Sequence, residues 1–322
     1  MENYPDSSVF VVIKDQGRVV GTQGMIPIFV NIKDKKRLSG KSESSLLDSA
    51  YRGGKLFEDL YDFAISSSKT RNICFIWGIT SAIKVWRDKL GFSVYTDVKC
   101  TSIILKPRVF LSKILKSRMN IKTKIFMSFS ILPSYLYSSV CRYTRVPLGG
   151  TSREFSIEHK IRSIDDLGEL YRRLRAKVDL IYIEQDGKYL AWRIFNNPTI
   201  KYTTYFLYED TALRAYCYLS INNEKDAYLT DFTFEDYQAG ETLLKKVLTQ
   251  LRSANATSIQ FMGNIKNPLM AGTFSLLKEY GFFKKRGSIA FVILNLSYEN
   301  RTYLYDIRNW YINGLWTEGY TW

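Results

Sequence analysis

The sequence is poor in the residues that bind soft metals or act as bases near neutral pH. Among 322 residues there are four cysteines and a single histidine, His159. The absence of a C-x-x-C pair disfavours a structural zinc site and favours buried, reduced thiols in a cytosolic protein. His159 lies in a predicted strand with no nucleophile motif nearby, which disfavours a Ser-His-Asp triad. We therefore expect no metal cofactor.

Long apolar runs are also missing. The first ten residues contain no basic segment followed by an apolar one, so no signal peptide is predicted. The longest apolar stretch, residues 125–140, contains Pro133 and several serines and is too short and too polar to span a bilayer. These features predict a cytoplasmic protein.

Acidic residues are absent from the centre of a chain whose net charge is +15. The interval from Asp97 to Glu154 contains no acid and eleven bases: Lys99, Lys106, Arg108, Lys113, Lys116, Arg118, Lys122, Lys124, Arg142, Arg145 and Arg153. Three interpretations fit residues 106–146. The segment could be a helical connector between domains, or a basic amphipathic segment that lies on the anionic inner face of the cell membrane. It could also form a positively charged surface that binds a phosphorylated acceptor. Nucleic acid is disfavoured because no recognised nucleic-acid fold accompanies the charge.

Hydrophobic periodicity predicts a similar order of elements twice. In the first half it predicts strands at 9–13, 19–32, 39–47, 73–77 and 92–105, and helices at 56–64 and 81–90. In the second half it predicts strands at 155–161, 203–208, 212–221, 227–234, 258–262 and 289–296, and helices at 164–176, 237–253 and 268–280. Both halves end alike, as Lys89-Leu90-Gly91-Phe92 and Glu279-Tyr280-Gly281-Phe282. A duplicated α/β fold follows, with domains at 1–105 and 151–322 and a connector at 106–150.

Residues 42–57 carry the clearest chemical signal. They run from a predicted strand through an Arg52-Gly53-Gly54 turn into a helix. Backbone N–H groups at a helix amino end, on a loop without side-chain bulk, form a pyrophosphate site. Arg52 can add a charge-assisted hydrogen bond to the phosphate.

This stretch resembles the coenzyme A loop of the general N-acetyltransferase (GNAT) superfamily, Arg/Gln-x-x-Gly-x-Gly/Ala after the fourth strand. Lys55 stands where glycine is usual, and Phe57 where glycine or alanine is usual. Residues 77–82 and 86–92 resemble the fifth strand, the following helix and the terminal Gly-Phe of that family. The resemblance covers residues 9–105 and, more loosely, 155–296. It is strongest to tandem GNAT proteins among bacterial surface-polysaccharide enzymes, through residues 189–193, 196–198, Tyr202 and 316–319.

The resemblance implies two tandem GNAT-like domains, each a mixed, largely antiparallel sheet flanked by helices, with the first copy shortened at its amino end. It implies transfer of an acetyl or other acyl group from acetyl-CoA to an amine or hydroxyl, on a small or sugar-linked acceptor. The implied base is Glu43. The family's tyrosine acid is missing, because Arg87 occupies its place. The implied coenzyme A contacts are the free amides of Leu46, Leu47 and Asp48, and the loop residues Arg52, Gly53, Gly54, Lys55, Leu56 and Phe57.

The second copy has acidic residues where the phosphate loop would be. Glu235, Asp236 and Glu241 would repel a pyrophosphate, so we expect this copy not to bind coenzyme A. The acceptor-side candidates are Arg193, Asn197 and Glu318. Two alternatives remain open, a non-catalytic GNAT-fold scaffold and a Fem-like aminoacyl transferase that uses aminoacyl-tRNA, and the oligomeric state is open too.

Overall fold

The computed structural model describes residues 8–117, 120–143, 153–284 and 289–317. Within them the strands are β1 (Val9–Asp15), β2 (Arg18–Ile32), β3 (Lys35–Leu47), β4 (Phe75–Thr80), β5 (Ser93–Tyr95), β6 (Val98–Ile104), β7 (Ser156–Glu158), β8 (Ile181–Ile183), β9 (Tyr202–Glu209), β10 (Ala212–Ile221), β11 (Asp226–Phe234), β12 (Ser258–Asn264), β13 (Phe283–Lys284) and β14 (Ala290–Asn295). The helices are α1 (Leu56–Lys69), α2 (Pro107–Lys116), α3 (Ile121–Tyr143), α4 (Asp165–Arg175), α5 (Gly187–Leu190), α6 (Tyr237–Ser253), α7 (Pro268–Glu279) and α8 (Arg301–Tyr305).

The chain divides into two units, each assembled from three separate stretches of sequence. The first unit takes its described residues from 1–98, 179–192 and 288–311. The second takes them from 99–178, 193–287 and 312–322. Each unit contains one mixed sheet with helices packed on it, so the predicted α/β fold class is confirmed.

The sheet of the first unit has the strand order β1-β2-β3-β4-β14-β5, and β8 pairs with β2. Its pairs are antiparallel except for β3 and β4, which run parallel. α1 packs on one face of this sheet through Leu60, Tyr61 and Ala64, which recur at helical spacing and are buried. They belong to one hydrophobic cluster with Ile76 of β4 and Val292 of β14. That packing fixes where α1 begins relative to the end of β3.

The sheet of the second unit has the order β13-β6-β12-β11-β10-β9-β7. β11 and β12 run parallel, whereas the pairs among β7, β9, β10 and β11 are antiparallel. His159 follows β7, and its Nδ1 lies 2.8 Å from the carbonyl oxygen of Thr204 on β9, which is a structural contact. The core-facing side of α6 consists of Ala239, Leu243, Leu244, Val247, Leu248 and Leu251, all buried at helical spacing.

Strands that are neighbours in the sequence belong to different sheets, which the predicted contiguous domains do not anticipate. The segment 92–105, predicted as one strand, breaks at Thr96 and Asp97. β5 stays in the first sheet, β6 joins the second, and β14 from the far end of the sequence joins the first between β4 and β5. Within the described residues both sheets therefore reach seven strands, although the first copy was expected to be shortened. Alternation identifies a strand but not its partner, because pairing is a long-range contact.

The acid-free segment forms the helices α2 and α3, and its described residues fall in the second unit. Ile114 of α2 packs with Ile104 and Ile131 in a small buried cluster. Lys113 Nζ pairs with Asp226 Oδ2 at 2.9 Å, which ties α2 to the start of β11. In the part of the chain that the structure describes, no helix has the length and apolar character needed to cross a membrane.

Candidate active site

β3 and β4 separate near the centre of the first sheet. Their parallel pairing ends at Lys41 and Trp77. Beyond that point β4 stays with β14, and β3 stays with β2. Among the described residues, the β4-facing edge of residues 42–47 consequently has no strand partner. Apart from the Leu47 carbonyl, which accepts from Arg52, its backbone polar groups are available to a ligand.

A β-bulge in β3 lies where the strands separate. Gln23 of β2 stands opposite both Ser44 and Ser45, and Ser44 has a positive φ of 54°. The Gln23 amide donates to Ser42 Oγ at 3.0 Å and accepts from Ser45 Oγ. The Tyr61 hydroxyl lies 2.7 Å from Ser42 Oγ and 2.9 Å from Ser45 Oγ. These hydrogen bonds fix the shape of the bulge.

Tyr61 stays protonated in this network. Burial raises the pKa of Tyr61 to about 12, so its hydroxyl is a hydrogen-bonding group at neutral pH. The sequence predicted Tyr61 on the apolar face of a helix and gave neither Tyr61 nor Gln23 a role in the site, because neither belongs to a recognisable motif. Their contribution is to position the end of β3.

The loop before α1 is open to an anion. Gly53 has a φ of 95°, a left-handed conformation that favours glycine. A Cβ placed on Gly53 or Gly54 would meet nothing within 4 Å. The first helical hydrogen bond runs from the Asp59 N–H to the Lys55 carbonyl at 2.9 Å. The amides of residues 56–58 therefore have no acceptor in the described chain and point toward the loop.

Two cations flank this loop. Arg52 is exposed, and its Nε donates to the Leu47 carbonyl at 3.0 Å. That contact orients the guanidinium, and its terminal nitrogens have no acceptor among the described residues. Lys55 is also exposed, and its side chain makes no capping bond to α1. Together with the helix dipole, both charges favour a phosphate at this position.

The prediction of three free amides at the end of β3 needs a correction. The Asp48 N–H donates to the Val20 carbonyl at 2.9 Å and so faces β2. Backbone groups alternate in direction along an antiparallel strand, which turns Leu46 toward β2 as well and Leu47 toward the open edge. The Leu47 carbonyl accepts from Arg52, in agreement with this direction. Of the three predicted amides, that of Leu47 alone faces the opening.

Glu43 forms an ion pair with Lys41. The two residues are two positions apart on β3 and therefore share a face of the sheet. Each side chain is only 9% exposed. The ammonium stabilises an ionised carboxylate next to the place where β3 and β4 separate. This arrangement places a carboxylate near the opening, and the role of Glu43 as a catalytic base stays a prediction.

The amino end of α6, the counterpart in the second unit, carries its own carboxylate. Asp236 caps α6 by accepting from the Ala239 N–H at 3.0 Å. Glu235 accepts from Arg173 and Arg214, each at 2.8 Å. A helix end capped in this way is not open to a phosphate as the α1 end is. We keep the absence of coenzyme A from this unit as a prediction.

Gly240, inside the first turn of α6, has no room for a side chain. A Cβ at this position would lie 2.7–2.9 Å from ring carbons of Phe234. We expect Gly240→Ala to lower the free energy of unfolding by about 1–3 kcal/mol, because the ring must move within a packed core. Urea unfolding measures this change. Gly54→Ala is the matched control, with open space at its Cβ, and equal losses in the two variants would contradict the expectation.

Glu209 makes the stability of the second unit sensitive to acid. It accepts from Arg153 and Arg214, and the hydrogen bond from Arg153 lowers the pKa of Glu209 from 4.5 to about 2. Because the folded pKa is the lower one, the stabilisation is complete above 4.5 and is lost as the pH falls through about 2. We expect the stability difference between wild type and Glu209→Gln to shrink over this interval in unfolding experiments. A difference that does not change with pH would contradict this account.

The predicted acceptor residues hold local backbone structure. Arg193 is buried, and its guanidinium donates to the Thr317 carbonyl. The side-chain oxygen of Asn197 accepts from the Thr199 N–H at 3.0 Å, a capping turn. Glu318 lies outside the described residues. An acceptor-binding role for these three residues stays a prediction.

The sequence matches no family profile and no curated protein. The fold matches solved structures of N-acyltransferases. A probable N-acyltransferase from Enterococcus faecalis aligns with a TM-score of 0.56 and 8% identity over 90% of this chain and 63% of its own. N-myristoyltransferase from Saccharomyces cerevisiae, solved with bound myristoyl-CoA, aligns with a TM-score of 0.57 and 12% identity, over 88% of this chain and 68% of its own. A GCN5-related N-acetyltransferase from Anabaena variabilis aligns with a TM-score of 0.55 and 11% identity, over 88% of this chain and 62% of its own.

At identities of 8–12% these likenesses establish the fold. The chain spans 62–68% of the length of these three proteins. Its two sheets with their helices therefore form a GNAT-like fold.

Proposed function

We propose that this chain is an acyltransferase that moves an acetyl or other acyl group from acyl-CoA to an amine. The observation that carries the proposal is the loop of Arg52, Gly53 and Gly54, which is open and leads into the uncapped end of α1. It lies at the end of the strand that separates from β4. The myristoyl-CoA bound to the yeast neighbour supports an acyl-CoA as the donor here.

In this proposal the donor binds along the open edge of β3. The pyrophosphate sits at the amides of residues 56–58, with charge-assisted hydrogen bonds from Arg52. The pantetheine arm pairs with the backbone of Leu47. Glu58, in the first turn of α1, is held by Lys89 at 3.1 Å, which offsets a charge that would otherwise oppose the phosphate.

The reaction forms a C–N bond and breaks the C–S bond of the thioester. The amine nitrogen attacks the acyl carbonyl, the thiolate of coenzyme A leaves, and the proton released by the amine is taken up by Glu43, directly or through one water. The thiolate gains a proton from solvent. Most of the acceleration comes from holding amine and thioester together in the opening.

The acceptor is proposed to be an amine on a sugar or on a precursor of a surface polysaccharide. This finer assignment depends on the resemblance of residues 189–202 and 316–319 to enzymes of that class. The donor site by itself does not distinguish one amine from another. The acceptor is therefore identified by screening.

The test is a thiol-release assay with acetyl-CoA and a panel of amino sugars and nucleotide-linked amino sugars. We expect one class of amine to stimulate release of coenzyme A. Glu43→Gln should lower kcat by about 10²–10⁴-fold and leave the Kd for acetyl-CoA unchanged. Lys41→Met combined with Glu43→Gln controls for the buried lysine charge that the single variant leaves unpaired. Glu299→Gln, a carboxylate change at an exposed position outside the donor site, should keep activity.

Two results would count against the proposal. If both Glu43 variants turned over at the wild-type rate, Glu43 would not be the base, and catalysis would depend on positioning of the substrates alone. No release of coenzyme A with any amine, from a chain that binds acetyl-CoA, would favour a non-catalytic binding protein.

A further inference from the structure

α3 carries a stripe of exposed apolar side chains. These residues recur at intervals of four or seven, which places them on one side of the helix. They are Ile121, Ile125, Phe129, Leu136 and Val140. Phe129 is 79% exposed, far more than a large aromatic side chain in a core. A stripe of this length is an interaction surface rather than a scatter of single exposed residues.

The stripe is not the side by which α3 packs on its own unit. Ile131, on the opposite side of the helix, is buried in the cluster with Ile104 and Ile114. Lys124 Nζ donates to the Leu115 carbonyl at 2.7 Å and so joins α3 to the end of α2. One side of α3 therefore packs on the second unit, and the opposite side, which carries the stripe, is exposed.

Positive charge accompanies the stripe. Arg108, Lys116 and Lys122 are exposed, and in the described ranges none of them has an acidic partner. No acid occurs in the sequence between Asp97 and Glu154. An apolar stripe on a helix that carries an exposed cation in its first turn, and that follows a helix with two more, is complementary to a surface with both negative charge and an apolar interior.

The chemistry of the patch selects among the partners. A symmetric contact with a second copy would bring two sets of the same cations together without any acid to pair them. Nucleic acid would engage the cations and leave the aliphatic residues of the stripe without a role. An anionic phospholipid surface uses both features, because headgroups bind the lysines and the acyl boundary takes the apolar side chains.

We propose that α3 and the end of α2 dock this protein on anionic phospholipid membranes, with α3 lying in the interface. The stripe of Ile121, Ile125, Phe129, Leu136 and Val140 enters the acyl boundary, and Lys116 and Lys122 contact the headgroups. This inference is independent of the proposed acyl transfer, since none of these residues belongs to the donor site.

The test is co-sedimentation of the full chain with vesicles of phosphatidylcholine alone and of equal parts phosphatidylcholine and phosphatidylglycerol. We expect binding to the anionic vesicles, weakened by added salt, and little binding to the neutral ones. Phe129→Glu and Ile125→Glu should each lower the partition coefficient by about tenfold or more, since each replaces buried apolar area with charge. Lys116→Glu with Lys122→Glu should lower it by about tenfold.

Matched controls separate position from total charge and from misfolding. Lys246→Glu with Lys278→Glu makes the same change in net charge on exposed helix positions of α6 and α7 and should keep vesicle binding. Circular dichroism checks that the variants fold, which is expected because the substituted side chains are exposed.

The proposal would be overturned by any of these results: no binding of the wild type to anionic vesicles at low salt, equal binding to both vesicle types, wild-type binding by the two apolar-to-Glu variants, or a dimer in light scattering that Phe129→Glu dissociates. Binding to a duplex oligonucleotide in place of vesicles would assign the surface to nucleic acid and also overturn it.

Discussion

We expect Arg52→Glu to raise the Kd for acetyl-CoA by about 10- to 100-fold. The substitution removes charge-assisted hydrogen bonds to the pyrophosphate and places a negative charge beside it. The Arg52 side chain is exposed and holds only the Leu47 carbonyl, so the fold should tolerate the change. Isothermal titration calorimetry with acetyl-CoA measures the two dissociation constants.

The control for this experiment is Lys14→Glu, an exposed position on β1 with the same change in net charge. It should bind acetyl-CoA as the wild type does. The Kd of Arg52→Lys for acetyl-CoA should lie between those of the wild type and Arg52→Glu. Lysine keeps the positive charge but lacks the planar guanidinium that makes two parallel hydrogen bonds. If Arg52→Glu and Lys14→Glu bind equally well, the phosphate does not sit at this loop.

We expect Trp310→Ala to lower the free energy of unfolding by about 3–5 kcal/mol. Trp310 is fully buried in the first unit, with its ring centroid 5.8 Å from that of Phe75 and 4.7 Å from that of Phe291. Its indole N–H donates to the Leu304 carbonyl at 2.7 Å. Truncation leaves a cavity beside β4 and β14 and an unpaired carbonyl, which a packed interior accommodates poorly.

Urea unfolding followed by circular dichroism measures this loss. Trp310→Phe should cost less, because a ring still contacts Phe75 and Phe291 and only part of the volume is removed. Phe63→Ala removes an aromatic side chain that is 64% exposed on α1 and should change stability by less than about 0.5 kcal/mol. Similar losses for Trp310→Ala and Phe63→Ala would contradict the burial on which the expectation depends.

Local pattern was sufficient to predict most elements of the fold. The strand at 212–221 and the helix at 237–253 have the predicted bounds, because alternation and helical spacing are local properties. The pairing of the strands in residues 92–105 was not predictable from local pattern. Its two strands enter different sheets, and β14 joins a sheet built mainly from the other end of the chain. Such partners are chosen by long-range packing, which no local window contains.

The open glycine loop before α1 was predictable from sequence for the same reason, since two glycines before an amphipathic helix form a local motif; its role in binding a donor stays a prediction. Its supporting network was not. Gln23, Ser42, Ser45 and Tyr61 come from three elements and meet through the bulge. The wrong assignment of the Asp48 amide has a similar origin, because its direction depends on the register of β3 against β2. A sequence pattern cannot fix a register across two strands.

The most direct test of the central claim is backbone hydrogen exchange of the whole chain with and without saturating acetyl-CoA. The amides of residues 53–58 and of Leu47 are predicted to exchange more slowly in the bound state, because they receive the pyrophosphate and the pantetheine arm. Residues 235–241 at the start of α6 are predicted to exchange at the same rate in both states. Protection at 235–241, or no protection at 53–58 under conditions where calorimetry shows binding, would place the donor elsewhere and contradict the account.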